Sequence, residues 1–378
     1  MGGCLRHDNG GDSVRANGDN AGLWADPVQS YSNNRTAVVL SGLALCLLIV
    51  SVYSLSSGAI DTTVGETLAA AIRYLGLSGD VAGDQLSLIV GQIRIPRLVL
   101  GVLVGGGLAI AGTVMQALFR NPMADPGLLG VSSGAALGAV AAIVLGLSLF
   151  HNLFQVYGSW VLLVMAFSGS LTSLLLVYNL ARINGRTDIP TMLLAGVAVN
   201  AITGALIGLM SYIASDAELR DLIFWSLGSL EVTDWWKLGI TALIVFPCCC
   251  AMIFYGKALN ANLLGENEAR HLGFDIESIK KRLIVLVALV VSVIVAMSGV
   301  IGFVGLVVPH LLRLVVGPDH RLLLPASALF GAVLLVIADV VARTLVAPAE
   351  IPIGIITAVL GGPFFLALLI RYKHSQAF

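Results

Sequence analysis

Long apolar runs broken by short polar stretches set the rhythm of this chain. A helix needs roughly 20 mostly apolar residues to cross a bilayer core, and in lipid its backbone groups must pair within the protein. Ten runs are candidates: 37–56, 97–117, 127–148, 158–179, 190–211, 236–256, 283–301, 304–318, 323–343 and 352–371. The eighth is short, so it either tilts or stops before crossing the whole bilayer. The pattern predicts an all-α integral membrane protein, a bundle of about ten transmembrane helices.

The polar stretches divide the chain. Residues 1–36 are rich in Gly, Asn and Asp and read as a flexible cytoplasmic tail. Residues 37–371 form the membrane domain, and 372–378 a short cytoplasmic tail. The first run, Ala37 to Leu55, exceeds the core of a secretory signal and is read as a retained span. Arginine and lysine in the connections favour both termini inside: Arg120, Arg182, Arg186, Lys257, Arg270, Lys280, Lys281, Arg282, Arg321, Arg371 and Lys373 fall on one side. Arg73, Arg94, Arg97, Arg220, Lys237 and Arg343 fall on the other.

Two connections are long. The outer one, 57–96, reads as an interfacial helix plus loop around Leu68–Leu77. The inner one, 257–282, reads as two short helices, one opening at Glu266 and one capped by Asp275, with a turn at Gly273 between them.

Composition agrees. Hydrophobic types make up 57% of the 378 residues and charged types 11%; soluble domains carry about 25% charged residues. Mean hydropathy is +0.94. A soluble protein of this length would need more polar surface, and a net charge of −1 points to no nucleic acid. Small residues crowd the second and third runs, a pattern that permits close helix approach. Lining of a pore is the alternative. GTVMQALFRNP (Gly112–Pro122) and GVIGFVGLVVP (Gly299–Pro309) echo each other in runs of opposite direction. That fits an inverted repeat, with chance similarity of two Gly-rich stretches as the rival.

Much chemistry is missing. No G-x-x-x-x-G-K-[ST] phosphate loop, H-E-x-x-H or G-x-S-x-G occurs. The six histidines do not cluster; His310 reads as a packed side chain, with haem ligation or proton relay as the alternative. Cys248, Cys249 and Cys250 read as small apolar residues. Asp339 and Arg343, four apart, suit an intrahelical bridge. With no chain of buried carboxylates to carry ions, a transporter of this composition draws its energy from a partner or is a passive channel.

Four blocks then carry a resemblance. They are Gln92–Arg97 (QIRIPR) leading into GVLVGGGLAIAGTVMQALFRNPMADPGLLGVSSGAALGA, LGENEARHLG (264–273), GFVGLVVPHLLR (302–313) and IPIGIITAVLGGPFF (351–365). In this order they resemble the permease subunits of bacterial ATP-binding-cassette importers for iron-siderophores, haem and cobalamin. The resemblance covers nearly everything after residue 37. The stretch Asp216–Leu230 (DAELRDLIFWSLGSL) is most similar to the haem branch.

The resemblance implies a type II importer permease fold of ten spans, working as a homodimer. Its partners are two cytoplasmic ATPase subunits, a periplasmic binding protein and membrane lipid. ATP is used by the partner, so the chain is not an enzyme and binds no permanent cofactor or metal; haem is cargo. It implies that Glu266, Ala269, Leu272 and Gly273 contact the ATPase. It also implies that Arg94, Arg97 and Arg343 receive acidic residues of the binding protein. Asn200, Tyr212 and Arg220 are pathway or entrance candidates. The expected location is the bacterial inner membrane, multi-pass, with both termini cytoplasmic. Iron-siderophore or cobalamin cargo is the near alternative, and a non-transporting membrane scaffold the alternative of another class.

Overall fold

A computed structural model describes residues 27–58, 62–77, 84–146, 151–183, 186–231 and 234–376. The chain is a helical bundle. Its elements are α1 (Pro27–Ser56), α2 (Val64–Tyr74), α3 (Gln85–Ile89), a π turn (Val90–Arg94), α4 (Ile95–Phe119), α5 (Val131–Leu145), α6 (His151–Tyr157), α7 (Trp160–Leu180), α8 (Ile189–Ile213), α9 (Asp216–Ser226), α10 (Trp235–Phe254), α11 (Gly256–Leu264), α12 (Glu266–His271), α13 (Ile276–Ser298), α14 (Val304–Val316), α15 (His320–Thr344) and α16 (Ile353–Gln376). Two short strands, β1 (Arg182–Ile183) and β2 (Arg186–Thr187), pair antiparallel between α7 and α8.

Among the described residues, seven helices are long and apolar enough to cross a membrane: Asn34–Ser56, Gln85–Phe119, Trp160–Leu180, Ile189–Ile213, Trp235–Phe254, Ile276–Ser298 and His320–Thr344. Three shorter apolar helices, Val131–Leu145, Val304–Val316 and Ile353–Ala367, occupy the places of the remaining expected spans. The shortfall has a local cause in α14. Gly299 (φ +69°) and Phe303 (φ +67°) take left-handed backbone, which no α-helix can carry through. Residues 299–303 are therefore a linker, and α14 starts only at Val304.

Helix reaches into both expected tails, since α1 begins at Pro27 and α16 continues to Gln376. The tail residues 1–26 and 377–378 lie outside the described residues. The second span also starts early: α3, the π turn and α4 run as one helix of 35 residues, Gln85–Phe119. Pro96 lacks an N–H and its ring crowds the preceding turn. The widened turn just before it, with Ile95 N–H bonded to Val90 O, accommodates that ring.

The most enclosed element is α4, with 78% of its apolar window buried. It packs against α15, α14, α13 and α10. At the other extreme α1 has only 6% of its window buried, so it forms an outer face against α15. Small residues let the central helices touch backbone to backbone. A Cβ added to Gly105 would stand 2.3 Å from Gly331 O, and one on Gly134 2.4 Å from Gly169 O. Single hydroxyl pairs also join helices: Thr113 to Ser327 at 2.9 Å between α4 and α15, and Ser170 to Ser292 at 2.7 Å between α7 and α13. Packing thus accounts for the small residues at these positions.

The two echoing stretches differ in local structure. Gly112–Phe119 is the end of a helix, whereas Gly299–Phe303 is a helix break. The stretches instead meet each other. A Cβ on Gly112 would lie 2.0 Å from Gly305 O.

Candidate functional site

The two ends of the bundle carry the polar constellations. At one end the finishing turn of α1, the start of α4 and the last turns of α15 converge. Asp339 lies at the centre, its side chain 4% exposed, and each of its oxygens takes one guanidinium: Arg97 Nε donates to Oδ1 at 2.9 Å and Arg343 Nε to Oδ2 at 3.0 Å. The second of these is the four-residue bridge expected from spacing.

Arg343 spends its remaining donors on α1, giving Nη1 to Ser57 O at 2.9 Å and Nη2 to Ser54 Oγ at 3.0 Å. Arg94 Nη1 donates to Leu55 O at 2.6 Å and to Thr62 Oγ1 at 2.9 Å. Arg97 Nη1 reaches Glu350, 2.8 Å from Oε2. All three arginines expected to face a docking protein are therefore buried and bonded within this chain. The reason is local: the end of α1 leaves the carbonyls of Ser54, Leu55 and Ser57 without helical partners, and the guanidinium forks of Arg94 and Arg343 satisfy them.

The opposite end carries the connection between α10 and α13. Its two short helices are α11 and α12, divided at Gly265 (φ +126°) rather than at Gly273. Gly273 (φ +87°) instead turns the chain into α13. Asp275 caps α13 as expected, accepting from Ser278 N at 3.3 Å and Ser278 Oγ at 2.6 Å, but the helix it opens is the membrane helix itself.

This loop is tied to three long helices. Asn262 Nδ2 donates to Ala117 O of α4 at 3.1 Å. Lys280 Nζ of α13 donates to Glu266 at 2.5 Å. Asn260 Oδ1 accepts from the His320 backbone N–H of α15 at 2.9 Å, while its Nδ2 donates to Asp319 at 2.7 Å. Burial pushes the Glu266 carboxyl up, but the hydrogen bond and charge of Lys280 outweigh it and hold the group below the usual glutamate range.

The four expected coupling residues separate into two kinds. Ala269 is fully buried against Ala261, Ile276 and Phe274, so it shapes the loop from inside. Glu266 is committed to Lys280. Leu272 is 60% exposed, and Gly273 has open space where a Cβ would be. An open cleft of about 770 Å³ runs beside the loop, between Arg120, Glu266, Lys280 and the β1–β2 hairpin. The hairpin is pinned to α13 by Thr187, whose N and Oγ1 donate to Glu277 at 2.8 and 2.7 Å.

The entrance candidates do not converge. Asn200 accepts from Ser133 Oγ at 2.5 Å, bridging α8 to α5. Tyr212 lies twelve positions on, about 18 Å along the helix, and is 86% exposed. Arg220 is exposed on α9. His310 packs edge-on against Phe364, with ring centroids 5.7 Å apart. Among the described residues no three His, Cys, Asp or Glu side chains are grouped to hold a metal.

Sequence reasoning missed Glu350 and Lys280 as partners of predicted residues. Neither pair has helical spacing, so no local signal exists. Sequence reasoning also missed the β1–β2 hairpin, for which the Asn-Gly dipeptide at 184–185, a pair that favours tight turns, was the available signal.

The profile of the FecCD transport family matches residues 46–371. The hemin transport system permease protein HmuU of Yersinia pestis is 43% identical over 340 residues, covering 90% of this chain and 97% of its own. The cobalamin import system permease protein BtuC of Halobacterium salinarum is 46% identical over 286 residues, covering 76% and 74%. Among solved structures, one titled as an inward-facing conformation of a putative metal-chelate type ABC transporter superposes with a TM-score of 0.74 at 32% identity, covering 89% of this chain and 99% of that one.

Proposed function

The chain belongs to the FecCD transport family, and on that premise we propose that it is the permease through which an ATP-driven importer moves haem from periplasm to cytoplasm. It is an ABC-importer permease for metal-chelate-type cargo, a transport subunit with no ATPase site of its own. The haem assignment draws its support from a relative named a hemin transport permease, 43% identical and matched over 90% of this chain and 97% of its own.

Two copies of the chain form the conduit in the inner membrane, with both termini cytoplasmic. Two ATPase subunits bind at the α11–α12 end and a binding protein at the arginine end. The observation that carries the mechanism is the loop's attachment to α4, α13 and α15 through Asn262, Glu266 and Asn260. A displacement of the loop by nucleotide-driven closure is passed directly to the most enclosed helices of the bundle. Leu272 and Gly273 offer the contact surface, while Glu266 and Ala269 keep it rigid. At the far end Arg94, Arg97 and Arg343 fix the surface on which the binding protein docks, rather than meeting it with free charges. Asn200 holds α8 in register with α5, and Tyr212 and Arg220 line the mouth.

Proteoliposomes holding the permease, its ATPase and its binding protein test this reading. ATP-dependent accumulation of haemin is expected. Accumulation of a ferric siderophore or cobalamin with none of haemin would overturn the haem assignment. Uptake unaffected by disruption of residues 264–273 would favour a scaffold.

A further inference from the structure

A cavity of about 400 Å³ opens at the arginine end, between the end of α9 and the turn that joins α15 to α16. Its lining includes Arg97, Phe224, Trp225, Ser229, Glu231 and Glu350. We propose that this cavity receives a carboxylate of a flat, apolar cargo, and that Glu350 occupies the carboxylate's place until the cargo arrives. The inference rests on the haem reading and adds the site and the chemistry of recognition.

The two acidic partners of Arg97 differ in kind. Asp339 is shared with Arg343 and its side chain is 4% exposed; Glu350 is 42% exposed on a surface turn. The first pair is locked by packing. In the second only the glutamate is open to water, so Glu350 can swing into solvent while Arg97 stays held by Asp339. A competing carboxylate can therefore take the Glu350 side of the guanidinium, whose Nη2 carries neither bond. Guanidinium presents a planar fork that matches a carboxylate in two-point contact. Because one carboxylate replaces another, the charge of the buried cluster is unchanged by the exchange.

The surroundings suit a flat ring system. Phe224 and Trp225 supply aromatic surface beside the charged group. A second cavity of about 470 Å³ follows, lined by Leu227, Val300, Phe303, Ile355, Ala358 and Val359. The hydrogen bond from Gly354 N to Leu227 O, 3.0 Å long, stands at the seam between the two. Ile353 lines the first cavity and Ile355 the second, so they succeed each other along α16. The Arg97 guanidinium in the first cavity and the apolar wall of the second complement a macrocycle with carboxylates on one edge. A chelate fringed by neutral amides lacks the group that Arg97 selects.

The test uses the full chain with its ATPase partner in lipid nanodiscs, titrated with haemin and with haemin dimethyl ester, followed by the Soret shift. Wild type should bind haemin more tightly than the ester. E350Q removes the internal competitor, so haemin should bind roughly three- to tenfold tighter while the ester is unchanged. R97Q should erase the preference for free carboxylates, and R97K should keep part of it. An E350Q affinity for haemin equal to or weaker than wild type overturns the proposal, as does equal binding of haemin and ester by wild type. If haemin is imported in the uptake assay but the E350Q titration does not move, only the site is wrong. If haemin is not imported, the cargo reading itself has failed.

Discussion

Asp339 illustrates how one residue organises an end of the bundle. Its two oxygens hold Arg97 and Arg343, and through them α4 and α1. Removing one member of a buried charge set leaves the others unpaired, at a cost of about 3–5 kcal/mol. D339N keeps the shape and removes the charge, so it should lower the melting temperature of the purified protein markedly. R343K should fall between, since a lysine cannot reach Asp339, Ser54 and Ser57 together. A D339N melting curve superimposable on wild type would show that the cluster contributes no stability. The spacing of Asp339 and Arg343 was legible in sequence; the role of Arg97 as the third member was not, because 242 residues separate it from Asp339.

At the scale of elements, the central helices are held by close approach rather than by side-chain volume. Gly112 on α4 faces the backbone of α14, where a methyl group would overlap Gly305 O. Gly208 on α8 has open space at the same distance from its own backbone. G112A should therefore abolish stable expression in membranes or drop the melting temperature sharply, while G208A should leave both within error, since Ala is also the better helix former. Equal tolerance of the two substitutions would contradict the α4–α14 contact. The glycine content of these runs was visible in the sequence. Which glycines are contacts and which face outward depends on helix rotation and on the partner helix, and neither is encoded locally.

For the whole molecule, the two ends are connected by long helices without an interruption in α4 or α15. The α11–α12 loop is bonded to α4 and α15, the same two elements that carry Arg97 and Arg343, so in the proposed mechanism a push there travels toward the arginine cluster. Leu272 is exposed and contributes little to the chain's own packing, so L272E should leave folding intact. In the reconstituted importer it should reduce ATP-dependent uptake by tenfold or more, with an unchanged melting temperature of the permease alone. Normal uptake by L272E would move the coupling contact elsewhere on the loop.

Membrane character, the order of the apolar runs and the place of the long connection at 257–282 were determined by the sequence alone, because hydrocarbon imposes helix on any long apolar run. The motif blocks likewise carried the family. Tertiary structure decided what the charged residues do. The family resemblance implied that Arg94, Arg97 and Arg343 face a docking protein, yet the packed bundle turns them inward to bonds with Asp339, Glu350 and carbonyls at the end of α1. Apart from the bridge between Asp339 and Arg343, these bonds join residues 39 to 286 positions apart, so only the packed bundle reveals them.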